Sequence, residues 1–263
     1  MNIISQILYT KHEEKSCALI PFITAGYPTV ESTLRALRIL DSQGADIIEL
    51  GIPYSDALAD GPIIQESSKI ALQQGVYISQ VFMILKNIYH TIKAPIIIFT
   101  YYNPILVTGI SNFIKKIAEF GAKGLVIPDL PIEEMDYIIH VCNIYSIELI
   151  FFIAPTSSQK RISYILSKAS NCIYLVSSTG VTGTRKSIDS QVITLSNYIK
   201  SSTDKLIMLG FGISNAEQAT EIAQWNIDGI VIGSAFIKVI SLDNSLELLS
   251  SFCKSIKDAI SNI

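Results

Sequence analysis

The sequence predicts an α/β fold of the (β/α)8 barrel class, the TIM barrel, and three observations support this prediction. Short apolar segments alternate with amphipathic helical segments along the whole chain, a pattern typical of parallel sheets. About eight strand–helix units follow one another, the number that closes a barrel. The length of 263 residues suits one barrel, and no linker or charge block divides it, so residues 1–263 are predicted to form a single domain. An open, doubly wound sheet is the structural alternative.

The predicted strands are apolar runs that end in glycine, proline or small polar residues. Their composition fits strands that are buried on both faces of a parallel sheet. In chain order they are predicted at 18–23, 46–50, 94–100, 124–127, 147–153, 172–176, 206–209 and 229–232.

The predicted helices are segments in which apolar residues recur at spacings of three and four. A leading helix is predicted at 3–10, before the first strand, and a short one at 235–240, after the eighth. The others are predicted at 29–43, 63–74, 79–92, 111–120, 133–145, 158–169, 190–201, 215–224 and 245–260. The barrel is therefore expected to carry an extra N-terminal helix and extra helices after strands 2 and 8.

Composition excludes several classes of protein. The formal net charge is −3, so no basic face for general nucleic-acid binding is expected. Mean hydropathy is +0.41, but the longest apolar runs are far shorter than the ~20 residues that span a bilayer. The start of the chain lacks the layout of a signal peptide. The 4 cysteines form no CxxC pair and the 3 histidines lie far apart, which favours a cytoplasmic protein with reduced thiols and no metal site.

Three carboxylates follow the second predicted strand. Glu49 interrupts an apolar run, and Asp56 and Asp60 lie in the loop beyond it. Barrel enzymes take their reacting groups from the C-terminal ends of strands. Because a buried carboxylate is costly unless it is paired or used, Glu49 and Asp60 are predicted to be acid/base residues. The structural alternatives are a loop-holding role for Glu49, ordinary turn chemistry for Asp60–Gly61, and loop bracing for Asp56, which is preferred there.

Glycines after the last two strands indicate a second functional group. Gly212 follows strand 7, and Gly233 with Ser234 follows strand 8, where barrels of this class frequently bind phosphate. Glycine allows backbone N–H groups to approach an anion closely. Thr182 and Gly183 are placed to close over that site. The alternative is that these glycines only end their strands.

Other strand ends carry polar or aromatic side chains with weaker signals. Tyr101 follows strand 3. Asp129 is interpreted first as a loop anchor, and Arg185 as a solvated charge or a closure contact. Lys123 and Lys205 precede their strands, which disfavours a Schiff-base aldolase, and the absence of a metal cluster disfavours a metal-dependent one. What remains is acid/base chemistry by carboxylates on a phosphorylated small molecule.

Seven sequence blocks resemble those of the tryptophan synthase alpha subunit family, in the family's order and across essentially the whole chain. The long block that contains Glu49 and Asp60 is highly specific for this family. The glycine blocks alone would not identify the family. The blocks are ELGIPYSDALADGPIIQ (49–65), PFITAGYP (21–28), TYYNP (100–104), PDLP (128–131), STGVTG (178–183), GFGIS (210–214) and GSA (233–235).

The resemblance implies cleavage of indole-3-glycerol phosphate to indole and glyceraldehyde 3-phosphate. It also implies a beta subunit that consumes the indole, an alpha2-beta2 tetramer, and pyridoxal phosphate held by that partner, with no cofactor in this chain. Glu49 and Asp60 match the family's catalytic residues. Phe22 and Tyr174 match residues that contact the indole in the family, and Tyr101 is predicted to contact the substrate beside them. The predicted phosphate contacts are Thr182, Gly183, Gly212, Gly233 and Ser234.

Two residues depart from the family pattern, and both lie in the loop expected to face the partner. Ala57 stands where the family usually has proline, and Tyr54 where it usually has phenylalanine. They put the loop's rigidity and the coupling between subunits in doubt. Loop 177–187 is predicted to be mobile without ligand and to order over bound phosphate. A phosphosugar isomerase on the same scaffold and a silent, partner-activating subunit are the alternative functions.

Overall fold

Eight parallel strands form a closed barrel in sequence order, in a computed structural model that describes residues 1–176, 190–210 and 212–261. The predicted fold class is therefore confirmed. The strands are β1 (Ala18–Thr24), β2 (Ile48–Gly51), β3 (Ile96–Phe99), β4 (Ala122–Val126), β5 (Glu148–Ile153), β6 (Cys172–Val176), β7 (Leu206–Gly210) and β8 (Gly229–Ile232). β1 pairs with both β2 and β8, which closes the barrel without a free edge.

Helices surround the barrel, and the predicted extra helices at the N-terminus and after strands 2 and 8 are present. In α1, the Asn2 side chain accepts a hydrogen bond from the Ile4 amide, the expected way to begin a helix. The helices are α1 (Ile3–Glu13), α2 (Val30–Ser42), α3 (Pro62–Gln73), α4 (Ile78–Ile88), α5 (Tyr102–Thr108), α6 (Ile110–Glu119), α7 (Asp136–Ile144), α8 (Gln159–Lys168), α9 (Ser190–Ser202), α10 (Ala216–Ala223), α11 (Ser234–Leu242) and α12 (Glu247–Ser261). Of the helices described, none has both the length and the apolar character needed to cross a membrane.

The predicted element boundaries differ from the observed ones by up to four residues. Helix α5 is absent from the sequence prediction, which has only the end of the third strand at residues 101–104. Pro104 lies in the first helical turn, where backbone N–H groups have no intrahelical partner, so proline is tolerated there. Strand β4 begins earlier than predicted and includes Lys123. In the pairing of β3 with β4, Ile96 pairs with Ala122 and Ile97 pairs with Gly124, so Lys123 has no partner in β3 and forms a bulge.

The strand register places Glu49 between two apolar neighbours. Glu49 lies opposite Phe22 of β1 on one side and opposite Ile97 of β3 on the other. All residues of β1, β2 and β8 are buried, as expected for strands covered by helices on one face and by the barrel interior on the other. The fold therefore holds a carboxyl group inside an otherwise apolar layer.

A fully buried aspartate lies at the N-terminal end of the barrel. Asp228 directly precedes β8 and is 0% exposed. Its Oδ2 accepts hydrogen bonds from Lys200 Nζ of α9 at 2.7 Å and from the Ile207 amide of β7 at 2.6 Å. His12 Nδ1 of α1 lies 2.7 Å from Oδ1. One carboxylate thus joins two strands and two helices.

Asp46 repeats this arrangement before β2. Its Oδ2 accepts a hydrogen bond from the Leu19 amide of β1 at 2.7 Å and one from Lys257 Nζ of α12 at 2.6 Å. In both cases an aspartate before a strand binds the neighbouring strand's backbone and a lysine from the outer helices. These contacts fasten helices to the barrel at the N-terminal end, opposite the strand ends that carry the candidate site.

Candidate active site

Glu49 is the most deeply buried candidate for chemistry. It is 1% exposed, and its Oε1 has no hydrogen-bond partner within the described part of the chain. Burial, and to a lesser degree the negative charge of Asp60, raises the pKa of Glu49 to about 8. The carboxyl group is therefore mostly protonated at neutral pH, so Glu49 is able to donate a proton.

Asp60 lies in the loop between β2 and α3 and is 8% exposed. The hydroxyl of Tyr101 donates a hydrogen bond to Asp60 Oδ2 at 3.0 Å and accepts one from the Ala59 amide at 3.1 Å. Burial raises the pKa of Asp60 to about 6, and the hydrogen bond from Tyr101 works against that rise. Asp60 is therefore mostly ionised at neutral pH.

The two carboxyl groups thus have different protonation states in one site. Glu49 is mostly neutral and Asp60 mostly charged at pH 7, because Glu49 is more completely buried, whereas Asp60 accepts a hydrogen bond from Tyr101. Two carboxyl groups whose environments separate their pKa values are the usual arrangement for one acid and one base. Burial and Asp60 also raise the pKa of Tyr101, which keeps its hydroxyl a donor.

Several aromatic side chains lie close to these carboxyl groups, and Phe22 is paired with Glu49 across the strands β1 and β2. Phe22 and Phe99 pack edge to face with centroids 5.6 Å apart, and Phe152 and Tyr174 lie 4.7 Å apart. Burial raises the pKa of Tyr174, and Glu49 contributes to that rise, which places the Tyr174 hydroxyl within electrostatic reach of the acid. These aromatic side chains suit contact with a flat apolar ligand such as an aromatic ring.

Two glycines leave room for two of these rings. A Cβ atom added at Gly51 would lie 2.5 Å from Phe22 Cζ, and one added at Gly210 would lie 2.4 Å from Tyr174 Cε1. Neither distance is compatible with a relaxed contact. The glycines therefore set the positions that the rings of Phe22 and Tyr174 occupy.

Replacing Gly51 with alanine is expected to destabilise the chain by roughly 1–3 kcal/mol, because the new methyl group overpacks against Phe22. Leucine at position 22 lacks the ring atoms of that clash, so the cost should fall in the Phe22→Leu background. Urea unfolding of Gly51→Ala, Phe22→Leu and the double variant measures both quantities. An equal cost of Gly51→Ala in the two backgrounds would contradict this account.

The N-terminus of α11 opens onto the same end of the barrel. Gly233 precedes the helix and Ser234 begins it, and Gly233, as the N-cap residue, has no side chain with which to cap the first turn. Gly233 lies close to Ile64 and Phe22, since a Cβ atom there would be 3.3 Å from Ile64 Cδ1 and 3.5 Å from Phe22 Cδ1. Gly212 follows β7 and is half-buried. The N–H groups at a helix N-terminus favour an anion, so the N-terminus of α11 is chemically suited to a phosphate group.

The remaining residues named from the sequence are either outside the described part of the chain or exposed in loops. Thr182, Gly183 and Arg185, with the rest of loop 177–187, lie outside the described residues, so the predictions on them stay predictions. Asp129 is exposed and accepts a hydrogen bond from the Tyr102 amide at 2.8 Å, which agrees with its interpretation as a loop anchor. Asp56 is also exposed and accepts one from the hydroxyl of Ser55 at 2.8 Å.

Sequence reasoning missed how Asp60 is held. It did not foresee the bond from Tyr101, 41 residues away, or the contacts that Gln65 makes with the loop backbone. The sequence feature that could have pointed to Gln65 is its position at the end of the 49–65 block. Within residues 1–176, 190–210 and 212–261, no cluster of side chains is suited to hold a metal ion.

Comparison with known proteins identifies the family. A family model described as tryptophan synthase alpha chain matches residues 8–260. The tryptophan synthase alpha chain of Gracilaria tenuistipitata var. liui is 60% identical over 263 residues, which cover 99% of this chain and 97% of that protein. That of Antithamnion sp. is 60% identical over 262 residues, covering 98% of this chain and 99% of that protein.

A solved structure agrees with these sequence relatives. A structure of tryptophan synthase from Mycobacterium tuberculosis matches with a TM-score of 0.91 at 28% identity, covering 97% of each chain. The match extends over the whole barrel and is not confined to the strand ends that carry the candidate site. The chain therefore belongs to the tryptophan synthase alpha chain family.

Proposed function

We propose that this chain cleaves indole-3-glycerol phosphate into indole and D-glyceraldehyde 3-phosphate by a retro-aldol reaction. The observation that carries the proposal is the pair of buried carboxyl groups, mostly protonated Glu49 and mostly ionised Asp60, close to several aromatic side chains. The aromatic side chains suit contact with the indole ring, and the N-terminus of α11 suits the phosphate. The family to which the chain belongs supports the same reaction.

The first step transfers a proton to the indole ring. Glu49 donates its proton to C3, the electron pair of the C2–C3 double bond forms the new C–H bond, and the positive charge that results is centred on the ring nitrogen. Ionised Asp60 accepts a hydrogen bond from the ring N–H and stabilises that charge. The bond from Tyr101 holds the accepting carboxylate in place.

The second step breaks the carbon–carbon bond. The hydroxyl group next to the ring loses its proton to the Glu49 carboxylate as its carbon–oxygen double bond forms. The electron pair of the breaking bond returns to the ring, which restores neutral aromatic indole and leaves the aldehyde. Glu49 ends the cycle protonated, as it began. General acid–base catalysis of this kind contributes roughly 10²–10⁴-fold in rate.

The remaining predicted residues hold the substrate. Phe22 and Tyr174 contact the indole ring, with Tyr101 at its side. Their burial and ring packing support this assignment. The phosphate contacts in the proposal are Gly212, Gly233 and Ser234, with Thr182 and Gly183 from the loop before α9.

The proposed partner is a tryptophan synthase beta subunit, in an alpha2-beta2 tetramer, that consumes the indole with pyridoxal phosphate bound to the beta subunit. Exposed apolar side chains near the site support a partner there. Leu58 in the loop after Glu49 is 87% exposed, and Val107 in α5 is 82% exposed. The Asn103 side chain donates a hydrogen bond to the Tyr54 hydroxyl at 3.4 Å, which links that loop to α5.

A cytoplasmic location completes the proposal. Cys17, Cys142, Cys172 and Cys253 are all buried and free. Burial raises the pKa of each thiol, so these side chains behave as small apolar core residues. Free thiols of this kind are usual where the compartment is reducing.

The pH dependence of kcat/KM is expected to be bell-shaped, with limbs near pH 6 and pH 8. Below about pH 6 Asp60 takes up a proton and no longer stabilises the ring charge. Above about pH 8 Glu49 is ionised and has no proton to donate. A stopped assay of indole between pH 5 and pH 9 measures both limbs. Activity that rises steadily through pH 9 would rule out protonated Glu49 as the acid.

One assay tests the function directly. Purified chain is given indole-3-glycerol phosphate, with and without a tryptophan synthase beta subunit, and indole release is measured. Release that depends on Glu49 is the expected result. No release in either condition would refute the proposal, and turnover of an aldose phosphate without indole release would favour a phosphosugar isomerase.

A further inference from the structure

The loop that carries Asp60 is tied together by a single amide side chain. Gln65 lies in the first turns of α3, and its Nε2 donates to the Ala57 carbonyl at 3.1 Å and to the Asp60 carbonyl at 2.9 Å. The Asp60 amide donates to the same Ala57 carbonyl at 3.1 Å. Gln65 therefore bridges the two ends of the turn 57–60.

The two ends of Asp60 are held by different residues. Tyr101 holds the carboxylate and also accepts a hydrogen bond from the Ala59 amide, whereas Gln65 holds the main-chain carbonyl of Asp60. The loop's own packing contributes little at its tip, since the Leu58 side chain is mostly exposed. The main-chain position of Asp60 thus depends on hydrogen bonds, and Gln65 supplies the one that reaches the Asp60 carbonyl.

Helix α3, which carries Gln65, is held against strand β1 by buried hydrogen bonds. The hydroxyl of Ser67 donates to the Ile64 carbonyl at 2.7 Å, and its oxygen lies 2.6 Å from Thr24 Oγ1. Both hydroxyl groups are buried, and because Ser67 has used its proton, Thr24 is the donor between them. A buried contact therefore joins the end of β1 to α3, and through Gln65 to the Asp60 loop.

We propose that Gln65 is a positioning residue, which sets the main chain of Asp60 so that its carboxylate points at the ring nitrogen of the substrate. The inference rests on the proposed cleavage reaction. An amide suits the task because its NH2 group has two donor hydrogens, one for each carbonyl. A carboxylate at the same position offers acceptors only and would repel both carbonyl oxygens.

The test compares Gln65→Met and Gln65→Glu with the control Gln80→Met. Gln80 lies in the first turn of α4 and makes only local bonds, with the Tyr77 amide and the Ser79 hydroxyl. Both Gln65 variants are expected to lower kcat roughly 10–100-fold through misplacement of Asp60, with KM little changed. The acid limb of the pH profile should move to lower pH, because a loosened carboxylate is better hydrated and burial is the larger influence on Asp60.

Hydrogen exchange gives a readout that does not depend on turnover. Exchange of the Asp60 amide should accelerate in Gln65→Met and stay at the wild-type rate in Gln80→Met. Unchanged exchange, or a wild-type kcat and acid limb in Gln65→Met, would overturn the positioning role. If the exchange result holds while the wild-type chain releases no indole, the cleavage proposal fails, and with it the catalytic purpose assigned to Gln65.

Discussion

Replacing Glu49 with glutamine is expected to lower kcat for indole release by roughly 10²–10⁴-fold, with KM little changed. Glutamine has nearly the same shape but no proton of comparable acidity to donate to C3. Glu148 provides a matched control, because it is also a buried glutamate, at 4% exposure, but lies at the start of β5. Steady-state indole release for Glu49→Gln and Glu148→Gln measures the difference. Comparable losses of kcat in both variants would contradict a special role for Glu49.

The same substitution should change stability in a pH-dependent way. Burial raises the pKa of Glu49 from 4.5 to about 8, so the folded chain holds its proton more tightly than the unfolded chain. Wild-type stability therefore falls as pH rises through that interval, whereas glutamine does not titrate. Relative to wild type, Glu49→Gln should gain roughly 3–5 kcal/mol in unfolding free energy from below pH 4.5 to above pH 8. Urea unfolding across this range measures the trend, and a constant difference would contradict it.

Replacing Asp228 with alanine is expected to lower the free energy of unfolding by roughly 3–5 kcal/mol. The change leaves the Lys200 ammonium without its buried partner and the Ile207 amide without its acceptor. The site lies at the other end of the strands, so kcat/KM at a temperature where the variant is folded should stay near wild type. Urea unfolding with linear extrapolation measures the loss.

A surface pair gives the control for Asp228. Asp136 forms an ion pair with Lys168, but its side chain is largely exposed. Asp136→Ala should cost no more than about 1 kcal/mol, because solvent screens an exposed pair. Equal losses of unfolding free energy for Asp136→Ala and Asp228→Ala would contradict the larger contribution expected of the buried Asp228–Lys200 pair.

The sequence predicts the barrel well because its strands depend on local composition. Apolar runs such as 149–154 leave few alternatives to a buried strand, and helix periodicity separates the outer layer. Boundaries depend on partners that are distant in sequence. The start of β4 is an example, since the pairing with β3 skips Lys123, and no local pattern encodes that bulge.

The candidate site is predicted only in part. Glu49 and Asp60 are conspicuous because a carboxylate within or beside an apolar strand needs a reason. The protonation states of the two residues come from the folded chain: burial of Glu49 in the barrel, and the bond from Tyr101 to Asp60. Asp46 and Asp228 gave no signal, since an aspartate before a strand is also ordinary loop composition. Their importance comes from lysines that are distant in sequence, 211 residues from Asp46 and 28 residues from Asp228.

The ion pairs of Asp46 and Asp228 have a consequence for how such a chain diverges. They fasten the barrel at one end, whereas the proton chemistry is proposed at the other. Substitutions at well-separated sites combine additively, so changes at one end should not alter the effect of changes at the other. A lineage that moves to a hotter or colder habitat is then able to adjust its thermal tolerance through the lysine–aspartate contacts without retuning turnover. Selection for growth temperature and selection for metabolic flux would act on different residues of one small barrel.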